Sequence, residues 1–139
     1  TIFQKMISNE IIKIASNTSN VGLTNKYNYK STKKNPMCGD LIKIELVSKK
    51  SKISSMKYET ESCIYCEAAA SLLSVKIKDQ SIKIVKTELA KLKSILLNDS
   101  NLIFPKRFAK FKLFKNKRNT GRFNCIILPI DAVLKALKK

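Results

Sequence analysis

Four cysteines carry the chemical potential of this sequence: Cys38, Cys63, Cys66 and Cys125, in a chain of 139 residues without histidine. Lacking imidazole, the chain has no route to Ser-His-Asp or Cys-His nucleophile activation, and any metal must be held by sulfur and oxygen. Cys38 stands in Asn35-Pro36-Met37-Cys38-Gly39-Asp40. Pro36 stiffens the approach, and Gly39 lets the backbone fold tightly enough for a thiolate and a carboxylate two residues apart to reach one ion. Cys63 falls where a strand pattern gives way to a helix pattern, a place whose backbone N–H groups and dipole favour a thiolate. Cys125 lies just ahead of the last helical pattern, in a comparable position. Three thiols thus fall at element ends, where loops can converge. Spacing alone leaves other readings open. Free cysteine is among the most buried residue types and packs as a small hydrophobe. Cys63-Ile64-Tyr65-Cys66 has redox C-x-x-C spacing, although no βαβ pattern surrounds it, and a zinc ribbon would need a second such pair.

The elements that must position these residues follow from hydrophobic periodicity. Residues 2–16 read as an amphipathic helix with Phe3, Ile7, Ile11 and Ile14 on one face. Residues 16–35 are polar and irregular, with a turn at Gly22. Residues 41–47 alternate, Ile42, Ile44 and Leu46 facing one way and Lys43 and Glu45 the other, as in a half-buried strand. A polar turn at 48–52 leads to a second strand at 53–61, with Met56, Tyr58 and Thr60 on one face, so the two form an antiparallel hairpin. A helix rich in Ala and Leu opens at Cys63. Ile82, Val85, Leu89, Leu92 and Leu96 mark a further helix with lysines on its back, ended by Asn98 to Asn101. Phe104, Phe108, Phe111 and Phe114 form a stripe that reads as a helix packed on the core. Pro129 suits the first turn of a last helix, whose buried face is Ile130, Val133, Leu134 and Leu137. This order predicts an α+β fold, a small antiparallel sheet with helices packed on one face, as one domain over 1–139.

Composition bounds the function classes. An apolar fraction of 44% suits a globular protein, and no apolar run approaches the ~20 residues that cross a bilayer. Residues 1–10 have no secretory apolar stretch, so the expected location is the cytoplasm, where four cysteines point to metal or redox chemistry before disulfides. The net charge is +18, from 28 Lys+Arg against 10 Asp+Glu. Such a balance invites nucleic acid. The excess is nearly all Lys, however, and accompanies abundant Ile, Asn and Ser, the residues of an AT-biased genome. No nucleic-acid motif is present and aromatics make up only 7%. Neither a specific nucleic acid nor a membrane is expected as partner.

Three segments in order resemble a known family. Asn35-Pro-Met-Cys-Gly-Asp40 is similar to the N-P-x-C-G-D motif of the U-type iron–sulfur cluster assembly scaffolds: IscU, SufU and the N-terminal domain of NifU. Ser62-Cys-Ile-Tyr-Cys-Glu-Ala-Ala-Ala-Ser71 resembles that family's second motif, a Cys opening an Ala/Ser-rich helix. Arg122-Phe-Asn-Cys-Ile-Ile-Leu-Pro129 resembles the third, and Asn20-Val21-Gly22 echoes the N-terminal segment. Several positions depart from the pattern. Ser62 replaces the usual Gly, and Asn124 stands where IscU proteins have His, which is closer to the SufU branch. Cys66 is additional, and the Leu-Pro-Pro-Val-Lys chaperone-docking motif is missing.

The resemblance implies a site made by Cys38, Asp40, Cys63 and Cys125. It would hold a transient cluster, [2Fe–2S] in type, or Zn²⁺. A cysteine desulfurase would supply sulfur, with Cys125 as persulfide acceptor, and apo iron–sulfur proteins would receive the product. The primary expectation is a scaffold rather than an enzyme; the alternative is a zinc-bound, SufU-type sulfur-transfer protein. Asp40 matters to the first reading, because a hard oxygen ligand binds cluster iron more weakly than a fourth thiolate and so permits release.

Overall fold

A computed structural model describes residues 9–36, 39–98, 103–115 and 123–138. The order is α1 (Asn9–Ala15), β1 (Tyr29–Lys34), β2 (Leu41–Lys49), β3 (Lys52–Glu61), α2 (Ile64–Lys76), α3 (Ile82–Leu97), a 3₁₀ helix (Lys106–Phe114) and α4 (Phe123–Ala136). The three strands form an antiparallel meander in the order β1-β2-β3. The helices pack against it, which is the expected α+β arrangement. Of the expected first helix, Ile11 is buried and Ile14 packs against the core, while Phe3 and Ile7 lie outside the described residues.

The β2–β3 hairpin follows the alternation of the sequence. Ile42, Ile44 and Leu46 sit opposite Thr60, Tyr58 and Met56, on the face that α2 and α4 cover. The turn is tighter than 48–52. It consists of Lys50 and Ser51, with φ of 52° and 65°, the left-handed pair that matches strand twist in a two-residue hairpin. A register shift at Val47/Ser48 absorbs the remaining offset.

Four features correct the reading from periodicity. β1 lies within the stretch expected to be irregular. Its sequence, Tyr-Lys-Ser-Thr-Lys-Lys, has no apolar alternation because it is an edge strand whose inward side chains are half-buried against α4. Glu45 is not on a solvated face: it is 4% exposed, roofed by the loop at Thr24 and Asn25. Of the phenylalanine stripe, Phe108, Phe111 and Phe114 lie on a 3₁₀ helix with a kink at Phe108 (φ −107°, ψ 20°), and Phe104 precedes it. Its period of three turns Phe108, Phe111 and Phe114 to one side, where all three are fully buried and in ring contact. Pro129 is inside α4 rather than in its first turn, and Cys125 is in the helix rather than ahead of it. Pro129 cannot donate to the Cys125 carbonyl, a loss that would end an exposed helix. Here residues 125 through 130 are all buried, and packing on both the sheet and the neighbouring helices outweighs it.

Candidate metal centre

The site forms at one end of the sheet. Hydrogen bonds from Asn35 N to Asp40 O (2.8 Å) and from Gly39 N to Asn35 O (2.7 Å) close the β1–β2 connection. Gly39 has φ of +78°, a value glycine adopts without strain. Cys38 itself lies outside the described residues. The hairpin then sets the next pair. With Leu41 opposite Glu61, Asp40 is brought beside the Ser62–Cys63 junction, 23 residues on.

Cys63 is the N-cap residue of α2 (φ −74°, ψ 168°) and makes no side-chain cap bond of its own. Its backbone N–H donates to Asp40 Oδ1 at 3.3 Å, and its thiol donates to Asp40 Oδ2 at 3.5 Å. Asp40 therefore meets the positive end of α2 from across the hairpin. Cys125 arrives from α4. One donor atom each from Asp40, Cys63 and Cys125 lies within 4.8 Å of the other two. Asp40 is 6% exposed and Cys125 3%, while Cys63 is half-buried and forms the accessible side of the cluster.

These donors suit a metal. Two thiols and a carboxylate are the sulfur and oxygen ligands that zinc and cluster iron accept. On one tetrahedral ion, bonds of about 2.3 Å to sulfur and about 2.0 Å to oxygen put the donors roughly 3.5 Å apart. The Cys63–Asp40 contact has that separation.

Cys66 behaves differently. It is fully buried among core residues, and burial above all, with the nearby acidic groups Asp40, Cys63 and Glu67 adding to it, pushes its thiol up to about 12, against a smaller opposing hydrogen bond from Ser62. A redox-active C-x-x-C needs an accessible thiolate; Cys66 is a neutral packing residue. Cavities flank the centre on either side. One of about 380 Å³ is lined by Tyr58, Thr60, Glu61 and Glu67 among others. The other, about 170 Å³, lies between Lys33–Pro36 and the start of α4. Glu67, one helical turn after Cys63, was not singled out from the sequence; its i+4 spacing was the available signal.

The family model for the NifU-like N-terminal domain matches residues 6–99, a span that includes Cys38, Asp40 and Cys63 but not Cys125. A search of curated proteins found no match. Among solved structures, the N-terminal part of a nitrogen-fixing NifU-like protein from Brucella abortus superposes with a TM-score of 0.86 at 17% identity, covering 99% of this chain and 96% of that one. A protein of Fervidobacterium islandicum AW-1, described as a candidate iron–sulfur cluster assembly scaffold for the SUF system, superposes with a TM-score of 0.85 at 18% identity, covering 96% of this chain and 98% of that one. At such identities the likeness establishes a shared fold.

Proposed function

This chain belongs to the NifU-like N-terminal domain family, and from that premise we propose that it is an iron–sulfur cluster assembly scaffold that holds a nascent cluster and passes it on. The observation carrying the reading is the approach of Asp40, Cys63 and Cys125, from three separate elements, to within 4.8 Å. Cys38, two residues from Asp40, completes the proposed set. The cluster is cargo. Thiolates of Cys38, Cys63 and Cys125 hold it, the N-terminal end of α2 offsets part of their charge, and Asp40 supplies the bond that a recipient's thiol displaces most readily. Sulfur comes from a cysteine desulfurase, and apo iron–sulfur proteins take the product.

A second reading is favoured by the 3.5 Å Cys63–Asp40 separation, which suits donors to a single ion. In it the same residues hold Zn²⁺, and the protein accepts sulfur on Cys125. The Cys125 thiolate attacks the terminal sulfur of the donor's persulfide, and the donor cysteine leaves as thiolate. Because Cys125 is buried, the start of α4 must shift to admit the donor.

Anaerobic reconstitution with iron, sulfide and thiol, beside metal analysis of freshly isolated protein, tests both. Two irons and two acid-labile sulfides per chain support the scaffold. One zinc that iron does not displace supports the transferase. Neither metal held in stoichiometric amount overturns both.

A further inference from the structure

The two edges of the sheet are treated differently. Along β3 the chain supplies its own cover, from residues 20–22 and 79–81. Gly22 N donates to Tyr58 O (2.8 Å), Tyr58 N to Asn20 O (3.2 Å), Ile53 N to Gln80 O (2.9 Å) and Asp79 N to Ile53 O (2.6 Å). β1 forms the other edge. Asn35 N donates to Asp40 O, and that pair continues the β1–β2 register, in which Lys33 faces Ile42 and Ser31 faces Ile44. Bonding alternates along an antiparallel pair. Ser31 and Lys33 therefore aim their backbone N–H and C=O groups at β2, while Lys30, Thr32 and Lys34 aim theirs outward. Among the described residues, that outward row is met by one bond, from the Lys135 ammonium to Thr32 O at 3.0 Å. A long, exposed side chain such as this one is readily displaced.

The uncovered edge runs directly into the metal centre. Lys34 ends β1, and the connection from Asn35 to Asp40 follows it. Lys33, Lys34, Asn35 and Pro36 share the 170 Å³ cavity with Asn124, the residue before Cys125. A strand of this length spans ~20 Å, so a segment laid along β1 reaches from Tyr29 to the flank of the site. The edge is also one-sided in charge. Residues 26–39 include Lys26, Lys30, Lys33 and Lys34 and no acid. Lys30, Thr32 and Lys34 are exposed, whereas Tyr29, Ser31 and Lys33 are half-buried.

We propose that the outer edge of β1 takes up an extended, acid-bearing segment of a partner protein as a fourth strand, which leads that partner to the metal centre; that the partner exchanges sulfur or cluster there rests on the scaffold reading, whereas the docking does not. Main-chain bonds to Lys30, Thr32 and Lys34 supply the pairing, as an open sheet edge permits. Charge selects the occupant. A second copy of this chain is a poor fourth strand, because two β1 strands about 4.8 Å apart would set the lysines of one against those of the other. A segment with acids at alternate positions instead places carboxylates directly across from Lys30 and Lys34. A nucleic acid or a lipid headgroup would meet the same lysines, yet it brings no matching row of N–H and C=O groups. The backbone row thus distinguishes this edge from a merely basic surface.

The test uses metal-free protein, so that failure of the cargo reading registers in metal analysis and not here. The probe is a labelled octapeptide of alternating Glu and Val, blocked at both ends. Two variants of it carry the same charge and side chains. One is N-methylated at every Glu, whose N–H groups face β1 when the acids lie opposite the lysines; the other is N-methylated at every Val, whose N–H groups face away. The expected result is at least a tenfold loss of affinity for the Glu-methylated peptide and less than a threefold loss for the Val-methylated one. The parent peptide should slow amide exchange at Lys30, Thr32 and Lys34. Thr32→Pro removes the central outward N–H and leaves the bonds to β2 in place, as edge strands tolerate; it should weaken the parent peptide at least tenfold with an unchanged urea midpoint. Should that variant not fold, the methylated pair still decides. Equal binding of all three peptides would reduce the edge to its charge and overturn the proposal. Protection that appears only away from β1 would overturn it as well, as would self-association of the chain that Thr32→Pro abolishes, since the occupant would then be a second copy.

Discussion

Two buried carboxylates, one in the middle of β2 and one just before it, differ in how they are held. Glu45 in β2 is 4% exposed and Asp40, one residue before that strand, is 6% exposed. Glu45 accepts from Thr24 N (2.7 Å), Thr24 Oγ1 (3.2 Å) and Asn25 N (2.9 and 3.2 Å to its two oxygens). Among the described residues, Asp40 receives Cys63 N at 3.3 Å and the Cys63 thiol at 3.5 Å, the latter an ordinary length for a sulfur donor. Burial of charge is costly unless hydrogen bonds replace water. Glu45 has that replacement and fixes a loop, including Asn25 at φ 62°. Asp40 is tied more loosely and faces thiols. Equal burial therefore accompanies two settings, a hydrogen-bonded clamp and the position of the proposed ligand, and the partners distinguish them.

The largest effect expected on this comparison is from Glu45→Ala. It strands the amides of Thr24 and Asn25 and should cost about 3 kcal/mol by urea denaturation, with metal content per folded molecule unchanged. A stable variant that has lost its metal would invert the two roles. Next come Cys63→Ser and Cys125→Ser. Each removes a soft donor, and each should lower metal occupancy at least tenfold by elemental analysis while moving the melting temperature of the metal-free protein little. Cys66→Ser should retain its metal. The reverse ranking, with Cys66→Ser empty and Cys63→Ser full, would move the centre into the core.

A smaller effect separates Cys66 from the site thiols by pH. Its folded-state pKa is raised from 9.0 to about 12, so the folded chain keeps a proton that the unfolded chain releases above pH 9. Stability from this group is complete below pH 9 and is lost as pH rises from there toward 12. Between pH 8 and 10.5 the wild type should lose about 2 kcal/mol more than Cys66→Ala, whose own cavity cost is independent of pH. Parallel slopes for the two proteins would contradict the burial argument.

The hairpin was legible because Ile42, Ile44 and Leu46 alternate and face Met56 and Tyr58 in register. Its consequence for the site was also within reach. A two-residue turn at Lys50–Ser51, tighter than the polar run 48–52 suggests, brings Asp40 to Cys63. β1 left no apolar signal, since an edge strand of lysines, serine and threonine looks like loop. The intervals of three between Phe108, Phe111 and Phe114 contained the 3₁₀ geometry. Pro129 misled because its usual place is a first turn, where the missing N–H costs nothing, and the burial that offsets that loss inside α4 leaves no local signal. The engagement of Glu45 could not be read at all, since nothing local links it to Thr24, 21 residues earlier.

The central claim is that Asp40 is a releasable ligand rather than a second clamp, and the rate of cluster loss from Asp40→Ala addresses it most directly. Wild-type and variant proteins are reconstituted anaerobically, cluster absorbance is followed with and without an apo acceptor, and a thermal melt accompanies each. The account predicts slower loss and slower transfer in the variant with an unchanged melt, because the displaceable oxygen is gone and a small apolar side chain screens the position from water. Faster loss, or equal transfer rates, or a melt lowered as far as that of Glu45→Ala, would contradict it; under the zinc reading the same variant simply loses its zinc.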